Sequence, residues 1–265
     1  MANDACLIVP ETAGFHNQNL EASIQRLVKA ATYKDCSTAI LCPSRGMLHC
    51  RPVQSWFALL RPMNQKVSGP IFLVGMEVGM AYQLGFDMIV QGSLRATRGA
   101  VDVAQLRAYA QSSYRYILTL EDDNMPPPDG LIKLIESIEG GVDGKKYDVM
   151  GGLYWTKGEG GQPMIYGDPN VQPRNFIPQV PRPNTVQPCN GMGLGFTLFR
   201  TSMFMEGKLS RPWFKTVAKH AVGVGSVAKT QDLGFFEQAG AVGYQFAVDT
   251  RVHVGHHEAE QDMIW

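Results

Sequence analysis

The sequence predicts an α/β protein built around a mainly parallel sheet. Short apolar runs rich in strand-forming residues recur along the chain, at residues 38–42 (TAILC), 116–120 (YILTL) and 147–150 (YDVM). Segments with apolar residues at helical spacing lie between them, and such alternation favours helices packed on a sheet. The 116–120 run also ends abruptly in three acids, Glu121, Asp122 and Asp123. A strand whose carboxyl end turns polar is where open α/β sheets bind ligands.

Taken in order, residues 1–37 read as an N-terminal extension packed on the core. LIVP is a candidate strand there, and Leu20, Ile24, Leu27 and Val28 suit an amphipathic helix. The core domain spans 38–265. Its first strand, 38–42, runs into the turn PSRG at 43–46. Trp56, Phe57, Leu59 and Leu60 suggest a helix, residues 71–74 another apolar run, and 87–90 (DMIV) a second short strand. A helix over 101–110 precedes the acidic strand. Three prolines then stop that strand, and Asp129 is placed to cap a helix starting near Leu131. Leu131, Ile132, Leu134, Ile135 and Ile138 give this helix one apolar face. Residues 147–150 open into GGLYW. The stretch 156–188 is too dense in proline and glycine for a regular element, and a loop of that length inside a domain is commonly functional. Apolar character returns at 191–199, and 248–254 (VDTRVHV) reads as the last strand. There is no internal repeat.

Composition narrows the function. A hydrophobic content of 45% over 265 residues supports a substantial core, and a formal net charge of zero gives no global attraction to nucleic acid or anionic membrane. No run reaches the length of a membrane span, and residues 1–14 lack a basic segment before an apolar one. The expectation is a cytoplasmic protein. Its five cysteines include no CxxC pair, so reduced thiols are expected rather than a zinc site.

The acids at 121–123 carry the chemistry. Three adjacent carboxylates repel one another and resist burial, so a fold that holds them at a strand end needs positive charge there. A divalent cation with oxygen ligands supplies it. A second candidate is the glycine-laced run CNGMGLGFTLFR, in which Gly191 and Gly193 let backbone approach a ligand closely. A third is TQDLGFF, where Asp232 is a candidate general base or a helix cap. A fourth is VHVGHHE, which holds three of the six histidines. At strand periodicity His253 and His257 share a face and His256 lies on the other.

The order of these segments resembles that of GT-A glycosyltransferases, from residue 38 to about 258. The acidic strand end resembles their DxD region, with Glu121 and Asp123 around Asp122. The resemblance implies a Rossmann-like α/β/α sandwich, a divalent cation (Mn²⁺ or Mg²⁺) and a nucleotide-sugar donor such as a UDP-sugar. It makes Asp123 and His256 metal ligands, with Glu121 in or next to the metal shell and His253 and His257 as alternatives. Glu121 and Asp122 also face the donor. Pro43, Ser44 and Arg45 hold base and ribose, Arg98 offsets diphosphate charge, and Gly191 and Gly193 underlie the sugar. Asp232 becomes the base of an inverting transfer. The family position before it is commonly Glu; here it is Gln231.

The match is closest in character to phage and bacterial members, among them phage enzymes that glycosylate hydroxymethylated pyrimidines in DNA. Between Arg200 and Lys229 there are six basic residues and one acid, Glu206. That bias beside Asp232, with Trp213 and Phe214 available to stack on bases, suits a DNA acceptor. A glycan acceptor, a nucleotidyltransferase and an inactive binding protein are the alternatives.

Overall fold

The computed structural model describes residues 33–63, 65–98, 114–221 and 225–265. The expected extension strand and helix before residue 33, and the expected helix over 101–110, lie outside the described residues.

A seven-stranded sheet organises the chain. Its strands are β1 (Thr38–Ser44), β2 (Val67–Val74), β3 (Tyr116–Leu120), β5 (Val149–Leu153), β7 (Val186–Cys189), β9 (Phe196–Arg200) and β12 (Phe246–His253), in the order β2-β1-β3-β9-β5-β12-β7. β1 runs parallel to β2 and β3, and β12 parallel to β5; β9 opposes both β3 and β5, and β7 opposes β12. Five strands therefore point one way and two against them, so the sheet is mixed but mostly parallel. Short strands complete the fold: β4 (Asn124–Met125), β6 (Ile165–Tyr166), β8 (Gly191–Met192), β10 (Val217–Ala221), β11 (Gly225–Lys229), β13 (Gly255–Glu258) and β14 (Met263–Ile264).

Side-chain alternation splits the core into two layers. In β3, Ile117 faces one side while Tyr116, Leu118 and Leu120 face the other. The Ile117 side is covered by α2 (Val78–Arg98) and α4 (Gln231–Ala241), through Tyr82, Phe86, Phe235 and Phe236. The opposite side is covered by α3 (Gly130–Ile138), whose Leu131, Leu134, Ile135 and Ile138 are fully buried, with α1 (Cys50–Ala58) beside it. Each such side chain contributes roughly 1.5–3 kcal/mol. The result is the expected α/β/α sandwich. Among the described residues no helix is long and apolar enough to cross a membrane.

Several local expectations change. Residues 87–90 are not a strand; they lie in α2, where Ala81, Tyr82, Phe86, Ile89 and Val90 form one buried helical face. Gly85 lets that helix approach β1, since a Cβ there would stand 2.3 Å from a Leu41 methyl. The apolar run 191–199 forms two strands. It breaks between β8 and β9, with Gly193 and Gly195 at the break. Nor does 248–254 end the sheet structure, because β13 pairs with β4 and β14 beyond it. Asp129 occupies the N-cap of α3 but its side chain makes no cap bond; it pairs with Lys133 at 2.9 Å. The 156–188 stretch carries β6 and the start of β7, and bridges Trp155 to Pro163 and Tyr166 to Pro178.

Candidate active site at the carboxyl edge of the sheet

β3 delivers the three acids to the sheet edge, and each turns to a different partner. Glu121 accepts a hydrogen bond from the Tyr82 hydroxyl of α2 at 2.6 Å. Asp122 accepts from Ser44 Oγ at 2.9 Å and from the Arg45 backbone N–H at 3.0 Å, which fastens the PSRG turn of β1 to the end of β3. Asp123 faces the C-terminal strands. Its carbonyl accepts from the His257 backbone N–H at 2.7 Å, and its carboxylate lies 3.5 Å from His256 Nε2. Mutual repulsion is thus relieved by splaying the three side chains.

His256 has a fixed orientation. Its Nδ1 lies 2.8 Å from the Trp155 carbonyl, to which it donates, so Nε2 is the nitrogen turned toward Asp123. A carboxylate and an imidazole nitrogen facing each other are ligands one cation can share, the imidazole giving up its Nε2 proton on binding. Ligands each roughly 2.1 Å from one ion lie about 3 Å apart when adjacent in an octahedron, close to the observed separation. The carbonyl behind the imidazole is the support that metal-bound histidines ordinarily have. Asp123 and His256 therefore fit a divalent cation that draws its remaining ligands from substrate or water. Among the described residues no three His, Cys, Asp or Glu side chains converge as a metal site, so Glu121 does not complete a triad. His253 stacks on Trp155 and is exposed. His257 is buried, with Nε2 3.0 Å from Asp262. Neither turns to Asp123.

Sequence reasoning missed Lys157. Its ammonium lies 2.6 Å from Asp123 Oδ2, and Arg45 reaches the same oxygen at 3.6 Å. Burial acts to raise the Asp123 carboxyl, but His256 and Lys157 outweigh it and hold it down at about 2. Among the described residues no ion pair reaches Glu121. Burial pushes it up, Tyr82 partly offsets that, the charges of Asp123 and Asp232 add to the rise, and His256 lowers it only from a distance; it ends at about 7.

Asp232 stands in the first turn of α4, not at its cap, which is Thr230. Its Oδ1 accepts from Thr230 Oγ1 and, at 2.8 Å, from the Leu233 N–H. Burial raises its pKa against these hydrogen bonds. Its charge is felt at Glu121, Tyr82, Tyr154 and Tyr166, so it shares their neighbourhood.

The glycines sit differently from the expectation. A Cβ on Gly193 would stand 2.1 Å from the Tyr154 hydroxyl, and one on Gly191 would stand 2.9 Å from the Phe176 ring. Their bare faces are taken by protein rather than open to a ligand. Pro43 and Ser44 are buried at the end of β1 while Arg45 is exposed. Arg98 ends α2, and its side chain lies outside the described residues.

Of the four described cations in the basic stretch, three are paired with acids. Arg200 pairs with Glu139 at 2.6 Å, Lys208 with Glu206 at 2.8 Å, and Arg211 with Asp87. Lys215 is exposed, and the side chains of Lys219 and Lys229 lie outside the described residues. Trp213 and Phe214 are both 3% exposed and pack with Phe204 and Phe235 in the core, so they are not base-stacking platforms. The run reads as basic and aromatic in sequence because sequence does not show which cations have acidic partners across the fold.

No family model matches the chain, and no curated protein matches it. Among solved structures it is similar to A197 from STIV, with a TM-score of 0.53 and 16% identity over 86% of this chain and 92% of that one. At that identity the likeness shows the fold alone. The fold is the expected α/β, GT-A-like arrangement, with a mixed and mostly parallel sheet flanked by helices.

Proposed function

We propose that the chain is a metal-dependent glycosyltransferase of the GT-A type, moving a sugar from a nucleotide-sugar donor to an acceptor hydroxyl. The observation that carries this reading is the facing pair Asp123 and His256, 3.5 Å apart, at the same sheet edge as Asp232. Asp123 and His256 hold Mn²⁺ or Mg²⁺, with Glu121 behind them bonded to Tyr82 rather than ligating. When bound, the ion neutralises the diphosphate leaving group. The turn at Pro43, Ser44 and Arg45, fastened by Asp122, receives the nucleoside, and exposed Arg45 is free to reach a phosphate. Asp232 takes the proton from the acceptor hydroxyl as its oxygen attacks the anomeric carbon with inversion. Burial raises its pKa, which strengthens it as a proton acceptor. Gly191 and Gly193 act at one remove, by letting Phe176 and Tyr154 pack beneath the donor sugar.

The acceptor is a hydroxyl on either DNA bearing hydroxymethylated pyrimidines or a glycan. Of the features that suggested DNA, exposed Lys215 remains as a described contact. The test offers labelled UDP-sugars with Mn²⁺ or Mg²⁺ to unmodified DNA, hydroxymethylated DNA and oligosaccharides, alongside thermal shift for donor binding. Label on any acceptor, lost in Asp123→Ala, supports the transferase. Label on oligosaccharide alone removes the DNA acceptor and leaves the rest standing. Donor binding without transfer indicates an inactive binding protein, and pyrophosphate release a nucleotidyltransferase. No donor binding with any nucleotide sugar refutes the proposal.

A further inference from the structure

We propose that Lys157 is an internal counter-cation of Asp123, which an incoming divalent ion displaces, so that metal entry and release of the 157–161 turn are one event. This rests on the reading of Asp123 and His256 as metal ligands.

Three observations carry it. The Lys157 ammonium lies 2.6 Å from Asp123 Oδ2, on the carboxylate that faces His256 Nε2. An ammonium and a divalent ion cannot both occupy that space, since two cations a few ångströms apart on one carboxylate repel strongly. The turn carrying Lys157 is closed at its base, where Thr156 and Gln162 exchange hydrogen bonds, and open at its glycine tip. Gly158 and Gly160 have positive φ angles of 96° and 74°, and neither would meet another atom within 4 Å if given a side chain. By contrast, the residue two positions earlier is fixed. Trp155 bridges to Pro163, stacks on His253 and holds His256 through its carbonyl. The boundary between fixed and free backbone therefore falls between the residue that orients one ligand and the residue that covers the other.

Displacement can then proceed without disturbing His256. Lys157 swings out with the glycine turn while Trp155 stays. The released ammonium becomes available to an anionic ligand arriving with the ion. Without metal, Lys157 neutralises Asp123 and keeps the acidic turn from holding unpaired charge.

The experiment uses the full chain, Mn²⁺ alone and no nucleotide. Mn²⁺ binding is measured by calorimetry, and exposure of the turn by cleavage of the Lys157–Gly158 bond with a lysine-specific protease. Four results are expected. Mn²⁺ speeds cleavage of the wild-type bond. Asp123→Asn cleaves fast without metal, and Mn²⁺ changes nothing. Lys157→Gln binds Mn²⁺ about five- to tenfold more tightly, the effect of removing one partly buried ion pair. Arg45→Gln, which removes a charge from the same carboxylate without freeing the turn, gains less affinity and keeps the cleavage response. Equal gains in Lys157→Gln and Arg45→Gln, with wild-type cleavage indifferent to Mn²⁺, overturn the displacement while leaving the metal site intact. No Mn²⁺ binding in wild type or Lys157→Gln removes the metal site and this inference with it. Slow cleavage in metal-free Asp123→Asn shows that the ion pair does not restrain the turn, and refutes the inference whatever the metal does.

Discussion

Replacing Glu121 with Gln should stabilise the protein at alkaline pH and leave it unchanged in acid. Glu121 is held at about 7 in the fold against an ordinary 4.5, chiefly by burial. A carboxyl whose pKa is raised on folding contributes most below its unfolded value, and that contribution is lost as pH rises through the folded value. The window therefore runs from about 4.5 to just above 7. Each pH unit of displacement is worth about 1.4 kcal/mol, so the ionised fold is penalised by at most roughly 3.5 kcal/mol. The side chain is not wholly sealed from solvent, which brings the expected penalty to about 2 kcal/mol. Gln keeps an oxygen for the Tyr82 hydroxyl and carries no charge. Thermal unfolding is compared at pH 5 and pH 8.5 in chelator-treated buffer. For a chain of this size the variant should melt roughly 4–8 °C higher at pH 8.5 and within a degree or so at pH 5. An equal difference at both pH values would mean the effect is packing rather than ionisation. A less stable variant at pH 8.5 would falsify the assignment of Glu121 as a strained carboxylate.

Asp232→Asn preserves shape and removes basicity, so transfer should fall roughly a hundredfold or more while donor affinity is unchanged; near wild-type turnover excludes Asp232 as the base. Gly193→Ala drives a methyl against the Tyr154 hydroxyl, 2.1 Å away, and should cost about 1–3 kcal/mol in urea unfolding. A neutral result there means Tyr154 is not fixed. Beyond the 157–161 turn, which Mn²⁺ releases, the rest of the 156–188 segment should be cut more slowly when Mn²⁺ and a nucleoside diphosphate are added together, as closure over a donor requires, and unaltered rates there speak against closure.

Much of the frame was legible because burial writes itself into strand and helix patterns. β1 and β3 read as apolar runs since both of their faces are covered, and α3 read as a helix since its apolar residues share one side. The reading of residues 87–90 failed for a physical reason. α2 exposes Met80, Leu84 and Met88 at helical spacing opposite its buried face, which blurs the polar side that marks an amphipathic helix. Strand direction was also hidden. Nothing in the Phe196–Arg200 composition says that β9 runs against its neighbours. At the site, the approach of Asp123 to His256 could be anticipated because histidines are few and the order of the acidic turn and the late histidine cluster is informative. Lys157 was missed because a lysine in a glycine turn looks like any solvated cation until the fold places it on a carboxylate. Trp213 and Phe214 misled in the opposite way, since an aromatic pair among cations looks exposed until α2 and α4 are packed over it.

The splaying of Glu121, Asp122 and Asp123 ties the site to residues far apart in sequence. Asp122 meets Ser44 across 78 positions and His256 meets the Trp155 carbonyl across 101. Bonds of that reach close large loops and form late, after the local helices. The central sheet is closed by pairings of similar reach, Thr38 with Tyr116 and Phe246 with Val149, so the site should mature together with the sheet rather than with any single helix. Ligand binding then measures whether the whole polypeptide has reached its native topology, and in a refolding time course it should return no earlier than the strand signal in circular dichroism.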